Sequence, residues 1–126
     1  DNGKVASNEK LDGRAVIEVN KIDAEARALV ENMVVKVFND RGCCLAAIKI
    51  SDNIRQGVVN IPTGAWLDPL KSSGISCVHG NPNVLTNDVG TSKLAQGPTA
   101  HTCLVEIEQF YEKAPRINAF DPPKIT

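Results

Sequence analysis

The chain has 126 residues, 42% of them hydrophobic and 23% charged, which fits one folded domain and excludes disorder and fibre. Its 14 basic side chains against 15 acidic ones leave a formal net charge of −1; there is no basic footprint for nucleic acid and no polybasic patch for a membrane surface. No apolar run approaches the ~18–20 residues of a bilayer span, so membrane insertion is not expected.

Residues 1–12 are polar and aperiodic and read as a loop or frayed lead-in. The chain opens on Asp1-Asn2-Gly3-Lys4, without Met or a leader pattern, and is expected to continue from an upstream part. A weak alternation over 15–19 predicts a short strand. Asn20 is suited to N-cap a helix over 22–29, with Asp23 and Glu25 in its first turn. Residues 33–38 are rich in β-branched side chains, 39–42 (Asn-Asp-Arg-Gly) form a turn, and 44–50 return as the partner strand of a hairpin. A second apolar run, Val58-Val59-Asn60-Ile61, follows Gly57. A last strand is predicted over 101–109, with Cys103, Val105 and Ile107 on one face. Glu106 and Glu108 lie on the other, solvated or in a surface pair. The tail beyond Lys113 carries Pro115, Pro122 and Pro123 and cannot sit inside a sheet. Several strands, one short helix and long irregular joins predict a small, mostly β barrel.

Cys43, Cys44, Cys77 and Cys103 form no Cys-x-x-Cys arrangement and no common zinc spacing. Alternation in a strand points Cys43 and Cys44 to opposite faces. All four are expected to be small buried or half-buried hydrophobes.

The segment between Ile61 and Ala100 has little regular pattern, and a structureless join of that length is usually functional or disordered. Its charged residues are Asp68, Lys71, Asp88 and Lys93, too few for disorder. It carries Trp66, the single Trp of the chain, with Leu67, Leu70, Ile75, Val78, Val84, Leu85, Val89 and Leu94 to fold it down. Between these stand neutral amides and hydroxyls that hydrogen-bond a polar organic ligand without importing charge. Gly64, Gly80, Gly90 and Gly97 permit close backbone approach to such a ligand. The composition equally suits a loop that packs on another protein surface, and Trp66 suits a core or interface anchor as well as a ligand contact.

Catalytic patterns are missing. His79 and His101 have no Ser or Cys elbow, and Gly-x-Ser-x-Gly, the P-loop, Gly-x-Gly-x-x-Gly and His-Glu-x-x-His are all absent. Taken by itself the chain does not read as a complete enzyme, and no catalytic residue or metal ligand is assigned.

Several motifs nevertheless stand together. Val37-Phe38-Asn39-Asp40-Arg41-Gly42 resembles the hairpin of the carboxy-terminal, dinucleotide-binding domain of the dimethyl sulfoxide reductase family of molybdenum enzymes. Ile54-Arg55-Gln56-Gly57-Val58-Val59 is similar to a family segment with Pro at the Gln56 position. Gly64-Ala65-Trp66-Leu67-Asp68-Pro69 is similar to the next, where Tyr is common at Leu67. His79-Gly80-Asn81-Pro82-Asn83-Val84-Leu85-Thr86 and Gly90-Thr91-Ser92-Lys93-Leu94-Ala95-Gln96-Gly97 follow in family order, then Ala100-His101-Thr102-Cys103-Leu104-Val105-Glu106. The closing 113–121 segment resembles the tails of trimethylamine N-oxide and biotin sulfoxide reductases.

The resemblance implies a mainly β double-psi β-barrel with one or two short helices and a long cofactor-facing loop, spanning residues 13–113 between the 1–12 lead-in and an extended 114–126 tail. It implies binding of part of a bis(molybdopterin guanine dinucleotide) molybdenum cofactor within an S-oxide or N-oxide reductase. By motif position Asn81, Asn83 and Gln96 would hydrogen-bond the cofactor, with Thr86 and Trp66 lining the site and His79 either contacting it or bracing the loop. Family members carry a further strand and a His-Ser-Gln-like segment before this domain, and their molybdenum ligand lies in an earlier domain; neither has a counterpart here. The chain is thus expected to be inactive alone and to act with the remaining reductase domains, a small oxide substrate and a c-type cytochrome or other electron donor. N-oxide reductases suggest the periplasm, biotin sulfoxide reductases the cytoplasm. The alternative is a stand-alone double-psi barrel interaction module without cofactor, its uncharged loop a docking surface. A self-processing decarboxylase on a similar barrel is disfavoured, because no Gly-Ser dipeptide occurs.

Overall fold

A computed structural model describes residues 7–70, 73–123 and 125. The first half of the lead-in, Lys71 and Ser72 of the long loop, and Lys124 and Thr126 of the tail lie outside the described residues.

Among the described residues five strands make one mixed sheet: β1 (Val16–Asn20), β2 (Val34–Phe38), β3 (Cys43–Ser51), β4 (Val59–Asn60) and β5 (Glu106–Gln109), in the order β4-β1-β3-β2-β5. The predicted hairpin is β2 and β3, antiparallel with Val37 opposite Cys44. Its turn closes through Asn39, whose N–H donates to the Gly42 carbonyl at 3.0 Å. β1 runs parallel to β3, Ile17 opposite Ile48, so the chain crosses over between them through α1 (Lys21–Ala26) and β2. Among the described residues no pairing joins β4 to β5, and the coarse class of a mainly β domain with one short helix is what the strand pairings carry.

β3 is central and buried on both faces. Cys44, Ala46 and Ile48 join Ile17, Val19, Val35, Val37 and Ile107 in the larger core. Cys43 and Leu45 face a smaller one with Ile75 and Val78. The opposite orientation expected for Cys43 and Cys44 follows from the pleat. Cys43, Cys44 and Cys77 are buried and Cys103 is half-buried, all as free thiols. Burial pushes the Cys44 thiol up to about 12, with Cys77 and Cys43 adding to the shift, so it behaves as a packing group rather than a nucleophile.

Two predicted bounds are corrected. The helix stops at Ala26 rather than continuing to residue 29. Asn20 caps its start, its Oδ1 accepting the Ile22 N–H at 2.9 Å. At the other end the Leu29 N–H returns to the Ala24 carbonyl at 2.9 Å and the Ala28 N–H to Glu25 at 3.1 Å. Ala28 adopts φ 53°. This is a Schellman closure made without glycine, and so without its usual sequence mark. The last strand begins at Glu106 instead of residue 101, and 100–102 form a 3₁₀ turn. Its pairing with β2 ends at Phe38 opposite Glu106. Beyond that point Asn39 Nδ2 donates to the Leu104 carbonyl at 3.1 Å and to the Leu85 carbonyl at 2.8 Å. A turn side chain thus replaces the backbone ladder. Cys103 and Val105 still pack with Ile107 on the larger core.

Candidate functional site

Between Ile61 and Ala100 the described residues make no strand, only isolated bridges and the 3₁₀ turn Pro82–Val84. The sequence 77–86 leaves the core, reaches the surface at Asn83 and returns to the core at Leu85. Cys77 pairs with Cys44 as a single parallel bridge, Val78 and His79 are buried, and Asn83 is exposed. Asn81 ends this descent by capping the turn, its Oδ1 accepting the Asn83 N–H at 2.9 Å. Pro82 at the start of the turn has no N–H to satisfy.

Asn83, Thr86 and Gln96 meet at one concavity of about 730 Å³, together with Asn87, Asp88 and Gly90. Two tethers shape it. The Thr86 hydroxyl donates to the Asn83 carbonyl at 3.2 Å, and Gln96 Nε2 donates to the Ser92 carbonyl at 2.9 Å. The Gln96 Oε1 lies over Gly90, where a Cβ would come within 2.0 Å of it. The hollow therefore requires glycine at position 90 while Gln96 keeps this pose. Its lining offers neutral donors and acceptors with Asp88 as the one carboxylate, a chemistry that fits a polar heterocycle of many donors and acceptors.

Trp66 and His79 do not line that hollow; they form a second cluster. His79 is fully buried. Its Nδ1 donates to the Trp66 carbonyl at 3.0 Å, which leaves the proton off Nε2 in the neutral ring. Nε2 is buried and has no hydrogen-bond partner among the described residues. Burial pulls the His79 imidazole below its usual range, against the opposing pull of the Trp66 carbonyl. The tail residue Phe120 completes the cluster, its ring 4.9 Å from that of Trp66 and 5.1 Å from that of His79. Trp66 remains 53% exposed, so much of its indole is open.

Asn81 stands on the segment linking the two places. His79 contacts the Trp66 carbonyl and the Phe120 ring. Sequence reasoning missed Asp68, Arg14 and Phe120 as members of this region. A signal existed for Asp68, a lone acid beside the Trp in a charge-poor segment. None existed for Arg14 or the tail, which reach the loop only through tertiary structure.

Residues 1–104 match the family model described as "Molydopterin dinucleotide binding domain". The chain belongs to that molybdopterin-dinucleotide-binding family. The domain is 43% identical over 112 residues to a trimethylamine-N-oxide reductase of Vibrio vulnificus strain YJ016, covering 88% of this chain and 14% of that protein. It is 50% identical over 100 residues to trimethylamine-N-oxide reductase 1 of Escherichia coli K12, covering 78% of this chain and 12% of that protein. The domain thus spans a small part of the curated relatives it matches. Acetylene hydratase from Pelobacter acetylenicus shares the fold, with a TM-score of 0.62 at 14% identity over 76% of this chain and 14% of that one. No helix of the described residues is long and apolar enough to cross a membrane.

Proposed function

We propose that this chain is the cofactor-holding segment of a molybdenum-dependent S-oxide or N-oxide reductase of the trimethylamine N-oxide reductase type. The observation that carries the reading is the 43% identity over 88% of the chain to a reductase of that name. The amide- and hydroxyl-bearing lining of the Asn83–Gln96 hollow agrees with it. In this reading Asn83 and Gln96 offer amide edges to the pterin or guanine of a bis(molybdopterin guanine dinucleotide) cofactor, and Thr86 and Asn81 shape the approach. Trp66 gives an open aromatic face, and His79 holds the Trp66 carbonyl in place. When bound, the molybdenum cofactor supplies the two-electron redox chemistry that removes the oxygen atom. The work of this chain is to bind and orient.

The finer architecture belongs to the same proposal. Residues 13–113 form the greater part of a double-psi barrel, a reading supported by the parallel β1–β3 pair inside an otherwise antiparallel sheet. Residues 1–12 lead into it and 114–126 trail from it. Leu94, Leu104 and Tyr111 are almost fully exposed, which suits surfaces covered by the remaining reductase domains. A periplasmic location and a c-type cytochrome donor go with the N-oxide reductase resemblance.

The test is made on the full-length polypeptide that carries this chain. Purified after expression with molybdate, it should contain molybdenum and guanine nucleotide and reduce trimethylamine N-oxide or an S-oxide with a reduced dye. An active preparation free of both molybdenum and guanine nucleotide overturns the proposal.

A further inference from the structure

Asp68 is buried, 7% exposed, in a loop otherwise poor in charge. Its Oδ2 accepts the backbone N–H groups of Asn118 at 2.5 Å and Ala119 at 3.0 Å. Its own backbone is fixed as well, the Val78 N–H donating to the Asp68 carbonyl at 2.8 Å. Earlier in the tail the buried Arg14 guanidinium donates to the Pro115 carbonyl. The tail is therefore held at two points, and the next residue, Phe120, lies against Trp66 and edge-on to His79. Lys10 Nζ stands 5.2 Å from the centroid of the same ring.

We propose that Asp68 is a positioning residue that latches the C-terminal tail across the loop, so that Phe120 fixes the Trp66 ring for the cofactor. This rests on the reading that the loop holds a molybdopterin dinucleotide. Two charge-assisted bonds from backbone amides to one buried carboxylate are strong, and the tail amides have no competing partner in a ladder. Phe120 covers part of the indole and stops it from rotating onto the loop. The exposed remainder of Trp66 then presents a settled face to a flat heterocycle. Without the latch the Phe120 ring is free to leave, and Trp66 loses the ring packed on it.

The experiment uses the loaded full-length polypeptide with Asp68→Ala, Asp68→Asn, Phe120→Ala and Trp66→Ala. Two readouts are taken: tryptic cleavage after Lys113 and Arg116, and the rate at which molybdenum and guanine nucleotide leave the protein in mild urea. Asp68→Ala should open the tail to trypsin and speed cofactor loss about tenfold. Phe120→Ala should speed it to a similar degree, and Asp68→Asn, which keeps an accepting oxygen but loses the charge, should fall between the wild type and Asp68→Ala. Cofactor loss at the wild-type rate from both Asp68→Ala and Phe120→Ala overturns the proposal when Trp66→Ala sheds cofactor. If Trp66→Ala also holds cofactor normally, the role given to Trp66 falls, and the latch with it. Should Asp68→Ala fail to fold, Phe120→Ala decides: cofactor loss faster than the wild type supports the proposal, and loss at the wild-type rate overturns it.

Discussion

Gly80 sits against Ala15, so closely that a Cβ on Gly80 would come within 2.6 Å of the Ala15 side chain. The Ala15 N–H in turn donates to the carbonyl of His79 at 3.0 Å. Gly80 adopts φ +92°, a conformation that costs any other residue of order 1–3 kcal/mol before the clash is counted. These contacts tie the start of β1 to the loop between His79 and Asn81. Gly80→Ala should therefore destabilise the domain by about 2 kcal/mol or more. Hydrogen exchange is the measure, with amides of 14–19 and 76–86 expected to lose protection together. Unchanged protection in both stretches would show that the contact is not holding them.

His79 makes stability depend on pH in a direction set by its burial. Burial keeps the folded imidazole neutral below its usual range, whereas in the unfolded chain it takes up a proton near pH ~6.5. Between the folded value and ~6.5 the unfolded state binds more protons, so stability falls as pH falls through that window. The melting temperature of the wild type should drop more steeply from pH 7 to pH 5 than that of His79→Gln. The variant should melt lower at pH 7, because the bond to the Trp66 carbonyl is weakened. Parallel pH profiles for the two proteins would contradict this account.

The parts of the fold legible in the sequence are those with local causes. The hairpin at Asn39–Gly42 is written in β-branched runs on either side of a turn, and the helix start is written in Asn20. The end of the helix was hidden, because Ala28 rather than glycine takes the left-handed position. The start of β5 was hidden too, since it depends on Asn39 capturing carbonyls of 85 and 104. At the candidate site the amide residues could be read from composition and motif order. Their division into a hollow with Asn83, Thr86 and Gln96 and a ring cluster with Trp66 and His79 could not. That division is made by the tail, through Asp68 and Phe120, and by Gly90 yielding space to Gln96.

The two acids on β5 each face a cation. Arg27 Nε donates to Glu106 at 2.8 Å and Lys36 Nζ to Glu108 at 2.9 Å. The bond from Arg27, with that of the Ile107 amide, holds the Glu106 carboxyl below its usual range. Both pairs are largely in solvent, where screening and side-chain entropy leave such bridges about 0–1 kcal/mol. Glu108→Gln should thus leave cofactor content and reductase activity of the parent polypeptide unchanged and shift its melting point little. A large loss of activity in this variant would mean that β5 carries a role its exposure does not suggest.

Gly90 provides the sharpest probe of the hollow, because it changes no polar group. A methyl group there meets Gln96 Oε1 at 2.0 Å, so Gly90→Ala must swing the Gln96 amide away from its bond to Ser92. If that amide pairs with a pterin or guanine edge, the edge is left unsatisfied at a cost of about 1–3 kcal/mol. Gln96→Ala and Asn83→Ala remove such partners directly and should act in the same direction. All three variants of the parent polypeptide should contain less molybdenum and guanine nucleotide per chain than the wild type. Gly90→Ala combined with Gln96→Ala should recover the fold around residue 90 without recovering the cofactor, since the obstructing amide is then gone but so is the pairing group. The measurement is metal and nucleotide content after equal dialysis, with circular dichroism to verify the fold. Full content in both Gln96→Ala and Asn83→Ala would remove these amides from the binding site.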